Sequence, residues 1–295
     1  MRRPPGTSSP VGPPVALTIA GSDSGGGAGL QADLKTFAAL GVFGTSAVTA
    51  VTAQSTVTVE ALDTVAPSLV ALQVRTVVDD MRPAAAKTGM LATGETVRVV
   101  AGLVADGVLP PLVVDPVLVA STGKALSGPD VVDAYVRHLL PVAHVVTPNL
   151  AEAAILVGHP VSTLDHMREA ALEIAALGPT WVVVKGGHLA PAAGTKGRAV
   201  DVVWDGTRLS EIGTPFVDTT NVHGTGCTFS AAVAAFIASG KVTGEAIDSA
   251  KQYVHRSIAG AASWRLGAGH GPLDHFGWSV PHSLPADQRL PHPLA

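Results

Sequence analysis

The sequence is poor in cysteine, in aromatic residues and in charge. Its 295 residues include one cysteine, 4% aromatic residues and 14% charged residues. A single cysteine excludes an intrachain disulfide and a zinc site built on paired cysteines, and it is typical of a reducing compartment. The net charge of −4 provides no basic surface for nucleic acid. No apolar run approaches the ~18 residues of a membrane span, so we expect a cytoplasmic protein without nucleic-acid or membrane partners.

Two common nucleotide-binding motifs are also missing. Residues 27–32 match the relaxed dinucleotide pattern Gly-x-Gly-x-x-Ala, but no acidic residue lies between Asp33 and Glu60 to bind a ribose. The Gly-Lys pair at residues 123–124 is followed by Ala125 instead of the Ser or Thr that completes a phosphate loop. The sequence therefore excludes a dinucleotide-binding domain and a phosphate-loop NTPase.

Strand-like apolar runs alternate with helical patterns from residue 14 to residue 278, which we expect to form one domain. The strand-like runs are residues 15–20, 46–53, 112–119, 144–147 and 181–185. The helical patterns are residues 30–40, 68–81, 94–105, 129–139, 151–157, 164–177, 227–239 and 245–266. This alternation predicts an α/β protein whose mostly parallel sheet is covered by helices on both faces.

Three further segments complete the expected organisation. Residues 199–212 predict a hairpin that adds antiparallel strands near one edge of the sheet. Residues 1–13, rich in proline, glycine and serine, predict a disordered lead. Residues 279–295 contain four prolines and predict a loose C-terminal tail.

A glycine-containing segment, NVHGTGCTFS at residues 221–230, leads directly into an apolar helical run. Gly224 and Gly226 allow backbone N–H groups to turn toward a ligand, and the following helix adds a partial positive charge at its N-terminus. This arrangement suits an anion such as a phosphate. A glycine turn before a buried helix has the same pattern, so the interpretation depends on the rest of the chain.

Other polar residues follow predicted strands, at the edge where open α/β sheets bind ligands. Asp115 could hold a cation or only accept hydrogen bonds in a turn. Asn149 and Glu152 could reach Mg²⁺ or could form a capping box at a helix start. Lys185 could contact a phosphate or lie in solvent. Together with the glycine segment, these residues indicate phosphoryl transfer, in which positioning and charge neutralisation dominate.

Six segments, in order along the chain, closely resemble the hydroxymethylpyrimidine/phosphomethylpyrimidine kinases of thiamine biosynthesis. They are residues 21–37, 49–54, 87–91, 147–153, 185–188 and 221–230, and residues 269–276 also fit. The resemblance implies the ribokinase-like fold, a three-layer α/β/α sandwich with a mostly parallel central sheet and antiparallel edge strands. It also implies a homodimer, which the low charge of the sequence favours as well.

The activity that the resemblance implies is two successive phosphorylations that use ATP and Mg²⁺. The acceptor is 4-amino-5-hydroxymethyl-2-methylpyrimidine, which becomes the monophosphate and then the diphosphate. Asp33 and Gln54 would hydrogen-bond the aminopyrimidine, which offers ring-nitrogen acceptors and an amino donor. Gly21 and Thr52 would contact it through their backbones, and Met90 would pack on its ring.

The resemblance assigns the remaining candidates to the phosphates. Asp115, Asn149 and Glu152 would serve the magnesium–phosphate region, with Asp115 and Glu152 as metal contacts, direct or through water. Lys185 would contact the phosphates. The anion hole would be formed by Gly224, Thr225, Gly226 and Cys227.

Cys227 occupies the position at which ribokinase-like sugar kinases carry the aspartate that accepts the proton of the substrate hydroxyl. A thiol at a helix N-terminus can have a lowered pKa and so be partly ionised near neutrality. Cys227 could therefore act as the base or could only complete the anion hole. We expect a catalytic part for it.

Two other functions remain open. A pyridoxal or pyridoxamine kinase of vitamin B6 salvage has the same fold and a similar acceptor, although Gln54 with Met90 favours the pyrimidine. A non-catalytic sensor that binds the pyrimidine is the third hypothesis. Loss of Lys185, Glu152 or an anion-hole glycine would favour the sensor, and all of these residues are present.

Overall fold

In the computed structural model, residues 12–118, 128–187, 189 and 197–279 of the chain are described. Their strands form one sheet in the order β3-β2-β1-β4-β5-β6-β7-β8-β9. The strands are β1 Val15–Asp23, β2 Phe43–Gln54, β3 Val59–Thr64, β4 Ala85–Thr88, β5 Leu112–Val114, β6 Val145–Val146, β7 Trp181–Lys185, β8 Arg198–Trp204 and β9 Leu209–Pro215. The strands from β2 to β7 in this order are parallel, whereas β3, β8 and β9 pair antiparallel at the two edges.

Helices cover both faces of this sheet. They are α1 Gly29–Ala39, α2 Pro67–Met81, α3 Gly94–Ala105, α4 Pro129–Ala134, α5 Leu150–Val157, α6 Leu164–Ala175, α7 Thr225–Ala238 and α8 Thr243–Ala261. One apolar cluster packs α2 to α6 on one face, and a second packs α1, α7 and α8 on the other. The predicted three-layer α/β/α architecture is confirmed. No helix in the described part of the chain is both long and apolar enough to cross a membrane.

Burial on both faces explains the uninterrupted apolar runs of the central strands. In β7, Val182 and Val184 belong to the cluster of α2 to α6, whereas Val183 belongs to the cluster of α1, α7 and α8. Side chains of a strand alternate between the two faces of its sheet, so both alternating sets of β7 side chains are buried and apolar. The small residues of α7, from Ala231 to Ala235, are all buried, so this helix lies directly on the sheet.

The structure corrects three of the predicted strands and adds two others. The run at residues 112–119 ends as a strand at Val114, because Asp115 and Pro116 begin a turn in which Val117 N–H donates to the Asp115 carbonyl. The strand at residues 144–147 shrinks to two residues, and the hairpin extends to Pro215. Strands β3 and β4 were not predicted, since β3 is exposed without apolar alternation and β4 has only four residues.

The predicted lead and tail lie almost entirely outside the described residues. Only residues 12 and 13 of the lead and Ser279 of the tail are described. Ser279 is held to the domain, because its N–H donates to Asp274 and its hydroxyl accepts from the Trp264 indole at 2.6 Å.

The strand order determines where a ligand can bind. Strand β1 pairs in parallel with β2 on one side and with β4 on the other. The chain therefore continues from β1 to β2 on one side and later crosses to β4 on the opposite side. In open α/β sheets, such a reversal leaves a crevice outside the carboxyl ends of the strands. The segments that follow β1, β2 and β4 to β7 all meet at this edge.

Candidate active site

A cavity of about 580 Å³ lies at the carboxyl edge of the sheet. It contains all of the predicted site residues except Asp33. These are Gly21, Thr52, Gln54, Met90, Asp115, Asn149, Glu152, Lys185, Gly224, Thr225, Gly226 and Cys227. Residues from seven separate segments of the chain therefore converge on one cavity.

One end of the cavity is apolar and closely packed. A Cβ built on Gly21 would lie 2.4 Å from Met90 Cε, so a side chain at this position would displace the Met90 methyl group from the end of β1. The Thr52 hydroxyl lies 2.9 Å from the Ser22 carbonyl and 3.2 Å from Gln54 Oε1, and it orients the Gln54 amide. This end combines the apolar Met90 side chain with the Gln54 amide, which suits a small polar ring.

Asp33 lies beneath the cavity and not in it. Its carboxylate is fully buried, accepts from the Thr18 hydroxyl at 2.6 Å, and lies 2.9 Å from Lys87 Nζ through each oxygen. Although burial opposes the charge of Lys87, the Asp33 carboxylate raises the Lys87 pKa above its ordinary value. This placement argues against the direct hydrogen bond to the aminopyrimidine that the resemblance implied for Asp33. The sequence placed Asp33 on a helix but did not show which face of that helix meets the cavity.

The other end of the cavity carries a buried charged cluster. Asp115 Oδ1 accepts from Lys185 Nζ at 2.9 Å, and Asp115 Oδ2 accepts from the Ser230 hydroxyl at 3.3 Å. Burial alone would lower the pKa of Lys185, but the carboxylates of Asp115 and Glu152 raise it above its ordinary value. Lys185 is therefore a cation at neutral pH, held where β7 ends.

Asn149 and Glu152 form the capping box that the sequence also allowed. Asn149 Oδ1 accepts from the Glu152 N–H at 3.0 Å, and Glu152 Oε2 accepts from the Asn149 N–H at 2.8 Å. Both residues line the cavity as well, so the capping and ligand interpretations are compatible. Burial and then the nearby Asp115 charge raise the pKa of Glu152 to about 8, against the lowering effect of Lys185.

Asp115 and Glu152 fit a metal site in which substrate phosphates and water supply the remaining ligands, and not one whose ligands all come from the protein. Asp115 and Glu152 are two carboxylates close enough for one to raise the pKa of the other. Within the described ranges, no group of three or more His, Cys, Asp or Glu side chains converges to hold a metal. Mg²⁺ is commonly bound by one or two carboxylates together with substrate phosphates and water.

Gly224, directly before α7, contacts the loop that follows β1, and Gly226 in the first turn of α7 lies close to Lys185. Gly224 has φ of +84°, and a Cβ on it would lie 1.9 Å from the Gly27 carbonyl oxygen, so this position requires glycine. A Cβ on Gly226 would lie 3.0 Å from Lys185 Nζ. The first N–H groups of a helix have no partner within the helix and can bind an anion, as predicted for this segment. The Thr225 N–H instead donates to the Val222 carbonyl at 3.2 Å, which leaves the amides of Gly226 and Cys227 as the better donors.

Cys227 does not have the lowered pKa expected from its place at a helix N-terminus. Burial raises the pKa of its thiol to about 12, and the favourable charge of Lys87 does not overcome this effect. Of the two roles that the sequence left open, the raised pKa favours completion of the anion hole over action as a base.

The sequence interpretation missed a pair of residues that also lines the cavity, Asp23 and His223. Asp23 Oδ2 lies 3.0 Å from His223 Nε2, and both side chains are buried. Both residues occur in segments quoted for the family resemblance. Their separation of 200 positions in the sequence concealed the contact.

Comparison with known proteins agrees with this geometry. The family model described as phosphomethylpyrimidine kinase matches residues 23–274. A Streptomyces coelicolor protein named hydroxymethylpyrimidine/phosphomethylpyrimidine kinase is 47% identical over 271 residues, which are 92% of this chain and 97% of the relative.

Solved structures of related kinases have the same fold. Pyridoxal kinase from Staphylococcus aureus, in complex with AMP-PCP and pyridoxal, superimposes with a TM-score of 0.80 at 35% identity, covering 90% of this chain and 94% of that one. Phosphomethylpyrimidine kinase from Clostridium difficile superimposes with a TM-score of 0.72 at 36% identity, covering 83% and 99%. The predicted ribokinase-like fold is thereby confirmed.

Proposed function

The chain belongs to the phosphomethylpyrimidine kinase family, and we propose that it transfers the γ-phosphoryl group of ATP twice. The first acceptor is 4-amino-5-hydroxymethyl-2-methylpyrimidine, and the second is the monophosphate formed from it, so that the product is the diphosphate used in thiamine biosynthesis. One observation carries this proposal: a single cavity joins an acceptor end lined by Gly21, Gln54 and Met90 to a phosphate end formed by Lys185 and the N-terminus of α7.

At the acceptor end, the aminopyrimidine ring would lie against Met90, which packs on Gly21. The Gln54 amide would pair with the amino group and a ring nitrogen, since an amide offers both a donor and an acceptor. The backbone atoms of Gly21 and Thr52 would complete the contacts. The hydroxymethyl group would then point toward the phosphate end.

At the phosphate end, Lys185 and the amides of Gly226 and Cys227 would bind the transferred group. Preorganised donors of this kind stabilise the charge that develops in the transition state. Asp115 and Glu152 would hold Mg²⁺ together with the phosphates of ATP. When bound, Mg²⁺ neutralises phosphate charge. Glu152 would lose its proton as the cation binds, because the cation favours the carboxylate.

We propose that Cys227 completes the anion hole as a neutral thiol. Its raised pKa makes a resting thiolate a minor species at neutral pH. A loose phosphoryl-transfer transition state needs little help from a base, and the phosphate acceptor of the second step is already ionised.

The test is a coupled ADP-release assay with Mg²⁺ and ATP on hydroxymethylpyrimidine, its monophosphate and pyridoxal. We expect turnover of both pyrimidines, and we expect Lys185→Met to reduce kcat by about 10²- to 10³-fold, as for loss of one transition-state donor. Lys241→Met is the matched control, because this exposed lysine contacts Ser249 and the Phe236 ring on the outer helices. Absence of turnover with either pyrimidine would refute the proposal.

Pyridoxal is the second candidate acceptor, because a pyridoxal kinase with an ATP analogue and pyridoxal bound has the same fold at a TM-score of 0.80. An aromatic nitrogen ring with a hydroxymethyl group suits the same apolar end of the cavity. We propose that pyridoxal is phosphorylated less efficiently than the pyrimidine, because the Gln54 amide matches an adjacent amino group and ring nitrogen. Equal or higher kcat/KM on pyridoxal would move the assignment to vitamin B6 salvage.

We also propose a cytoplasmic homodimer. The exposed apolar side chains on β2, β3 and α2 support the dimer; they include Phe43, Leu62, Leu69 and Leu72. The free thiol of Cys227 supports the location. Light scattering coupled to size-exclusion chromatography would measure the mass, and a monomer across the micromolar range would contradict the dimer.

A further inference from the structure

Asp23 and His223 connect two neighbouring loops that both line the candidate active site. Asp23 ends β1, and its Oδ1 accepts from the Gly25 N–H at 2.8 Å while its Oδ2 accepts from the Ala28 N–H at 2.8 Å. The carboxylate therefore determines the shape of the glycine loop, residues 24–28. The same Oδ2 lies 3.0 Å from Nε2 of His223, the residue directly before Gly224.

The two loops are also in direct van der Waals contact around this pair. A Cβ on Gly27 would lie 2.4 Å from His223 Cδ2, and a Cβ on Gly224 would lie 1.9 Å from the Gly27 carbonyl oxygen. A side chain at Gly224 would collide with the backbone of the glycine loop, and a side chain at Gly27 would collide with the His223 ring. A shift of the glycine loop must therefore move His223 and the start of α7 with it.

Backbone contacts also hold His223 in place. The His223 N–H donates to the Gly271 carbonyl at 3.0 Å, and His223 forms a parallel bridge with Pro272. Burial alone would raise the pKa of Asp23, but hydrogen bonds from His223, Ala28 and Gly25 hold it below its ordinary value. Asp23 is thus a carboxylate, and Nε2 of His223 carries the hydrogen that joins them.

We propose that Asp23 and His223 are a positioning pair, which holds the anion-binding start of α7 at a set distance from the acceptor end of the cavity. This inference rests on the proposed kinase function. The glycine loop continues from Gly21 at the acceptor end, whereas Gly226 and Cys227 carry the amides for the transferred phosphoryl group. In-line transfer requires a fixed position of the acceptor relative to the phosphate-binding amides. Misplacement by about 1 Å can reduce a rate by about 10²-fold.

The experiment compares His223→Gln with His223→Leu. Gln retains an N–H donor near the position of Nε2, whereas Leu fills similar space without a donor. We expect His223→Leu to reduce kcat by about 10- to 100-fold with a smaller change in KM for ATP. We expect His223→Gln to keep most of the wild-type kcat. Hydrogen–deuterium exchange of the peptide spanning residues 221–230 should be faster in His223→Leu and close to wild type in His223→Gln.

Asp23→Asn provides the second arm. It removes the carboxylate without changing the size of the side chain, and it should lower kcat and speed exchange in the same peptide. Asp23 also accepts from Gly25 and Ala28, so the double variant Asp23→Asn/His223→Leu should cost little more than Asp23→Asn alone if the two residues act as a unit. If His223→Leu fails to fold, Asp23→Asn and His223→Gln still test the pair through kcat and exchange.

The control is His144→Leu, which removes a hydrogen bond at 2.8 Å to Thr243 beside β6, away from the cavity. It should leave kcat and the exchange of residues 221–230 unchanged. Two outcomes would overturn the proposal: wild-type kcat and exchange in His223→Leu, or a His223→Gln variant as inactive as His223→Leu. If wild type phosphorylated no pyrimidine, the proposed function would fail, but the exchange data would still decide whether the pair holds the loop.

Discussion

Replacement of Lys87 by methionine tests how much the buried Asp33–Lys87 pair beneath the cavity stabilises the fold. Lys87 and Asp33 form a fully buried ion pair in which Lys87 Nζ lies 2.9 Å from each carboxylate oxygen. Methionine keeps most of the apolar stem of lysine but leaves the Asp33 carboxylate buried without its cation. Removing one partner of a buried pair costs about 3–5 kcal/mol, and we expect a loss of that size in the free energy of unfolding of Lys87→Met.

The double variant Lys87→Met/Asp33→Asn separates this cause from simple loss of packing. Asparagine is neutral, and its carbonyl oxygen can still accept from the Thr18 hydroxyl, which now lies 2.6 Å from the carboxylate. We therefore expect the double variant to recover a substantial part of the lost stability, because a buried neutral amide is far less costly than an unpaired buried charge.

The loss in Lys87→Met should also depend on pH. Burial already holds the pKa of Asp33 above its ordinary value although Lys87 lowers it. Loss of the cation would raise it further, so above that ordinary pKa the folded variant would bind more protons than the unfolded one. Stability would then fall as pH rises from the ordinary pKa of Asp33 to its folded value. The destabilisation should be smaller at pH 5 than at pH 8.

Urea unfolding followed by tryptophan fluorescence, at pH 5 and pH 8, measures these changes. Lys241→Met is the control for replacement of a lysine by methionine, since Lys241 is exposed and should change stability by no more than about 0.5 kcal/mol. The reasoning would be refuted by a Lys87→Met variant as stable as wild type, or by a double variant no more stable than the single one.

Three further predictions follow from the same geometry. In metal-free protein, stability should fall between pH 5 and pH 8 because folding raises the pKa of Glu152 to about 8, and Glu152→Gln should flatten that slope in thermal unfolding. Cys227, the only thiol, should react slowly with iodoacetamide at pH 7.5 because burial raises its pKa to about 12; a reactivity midpoint below pH 8 would contradict this. Gly224→Ala should lower both melting temperature and kcat, because its Cβ would clash with the Gly27 carbonyl. The control Gly240→Ala, at φ of +88° with open space around it, should show only the backbone strain of about 1–3 kcal/mol.

Local patterns in the sequence were enough for the architecture and for the place of the site. The alternation of apolar runs with helical periodicity predicted the layered fold, because each pattern reflects which faces of an element are buried. Polar residues at strand ends and a glycine segment before a helix predicted the site, because parallel strands share one carboxyl edge. Asp115, Lys185 and Gly226 accordingly line one cavity.

Features that depend on neighbours distant in the sequence were not predictable in the same way. Strand β3 is exposed and pairs only with β2, so its residues carry no apolar alternation. Asp33 sits on a predicted helix, but only the packing of β4 beside β1 brings Lys87 against it. For Cys227, the local effect of the helix N-terminus predicted a lowered pKa, whereas burial by the surrounding elements has the larger, opposite effect.

The sequence by itself determined most of the helices and central strands, the layer arrangement and the edge of the sheet at which the site forms, since these follow from periodicity and from short segments of chain. Only the tertiary structure decided which side chains face the cavity and which lie beneath it, and which charges are paired. Asp23 and His223 are 200 positions apart, and their contact exists because the sheet brings the end of β1 and the start of α7 to the same edge. Protonation states depend on burial and on partner charges, and both are properties of the assembled fold.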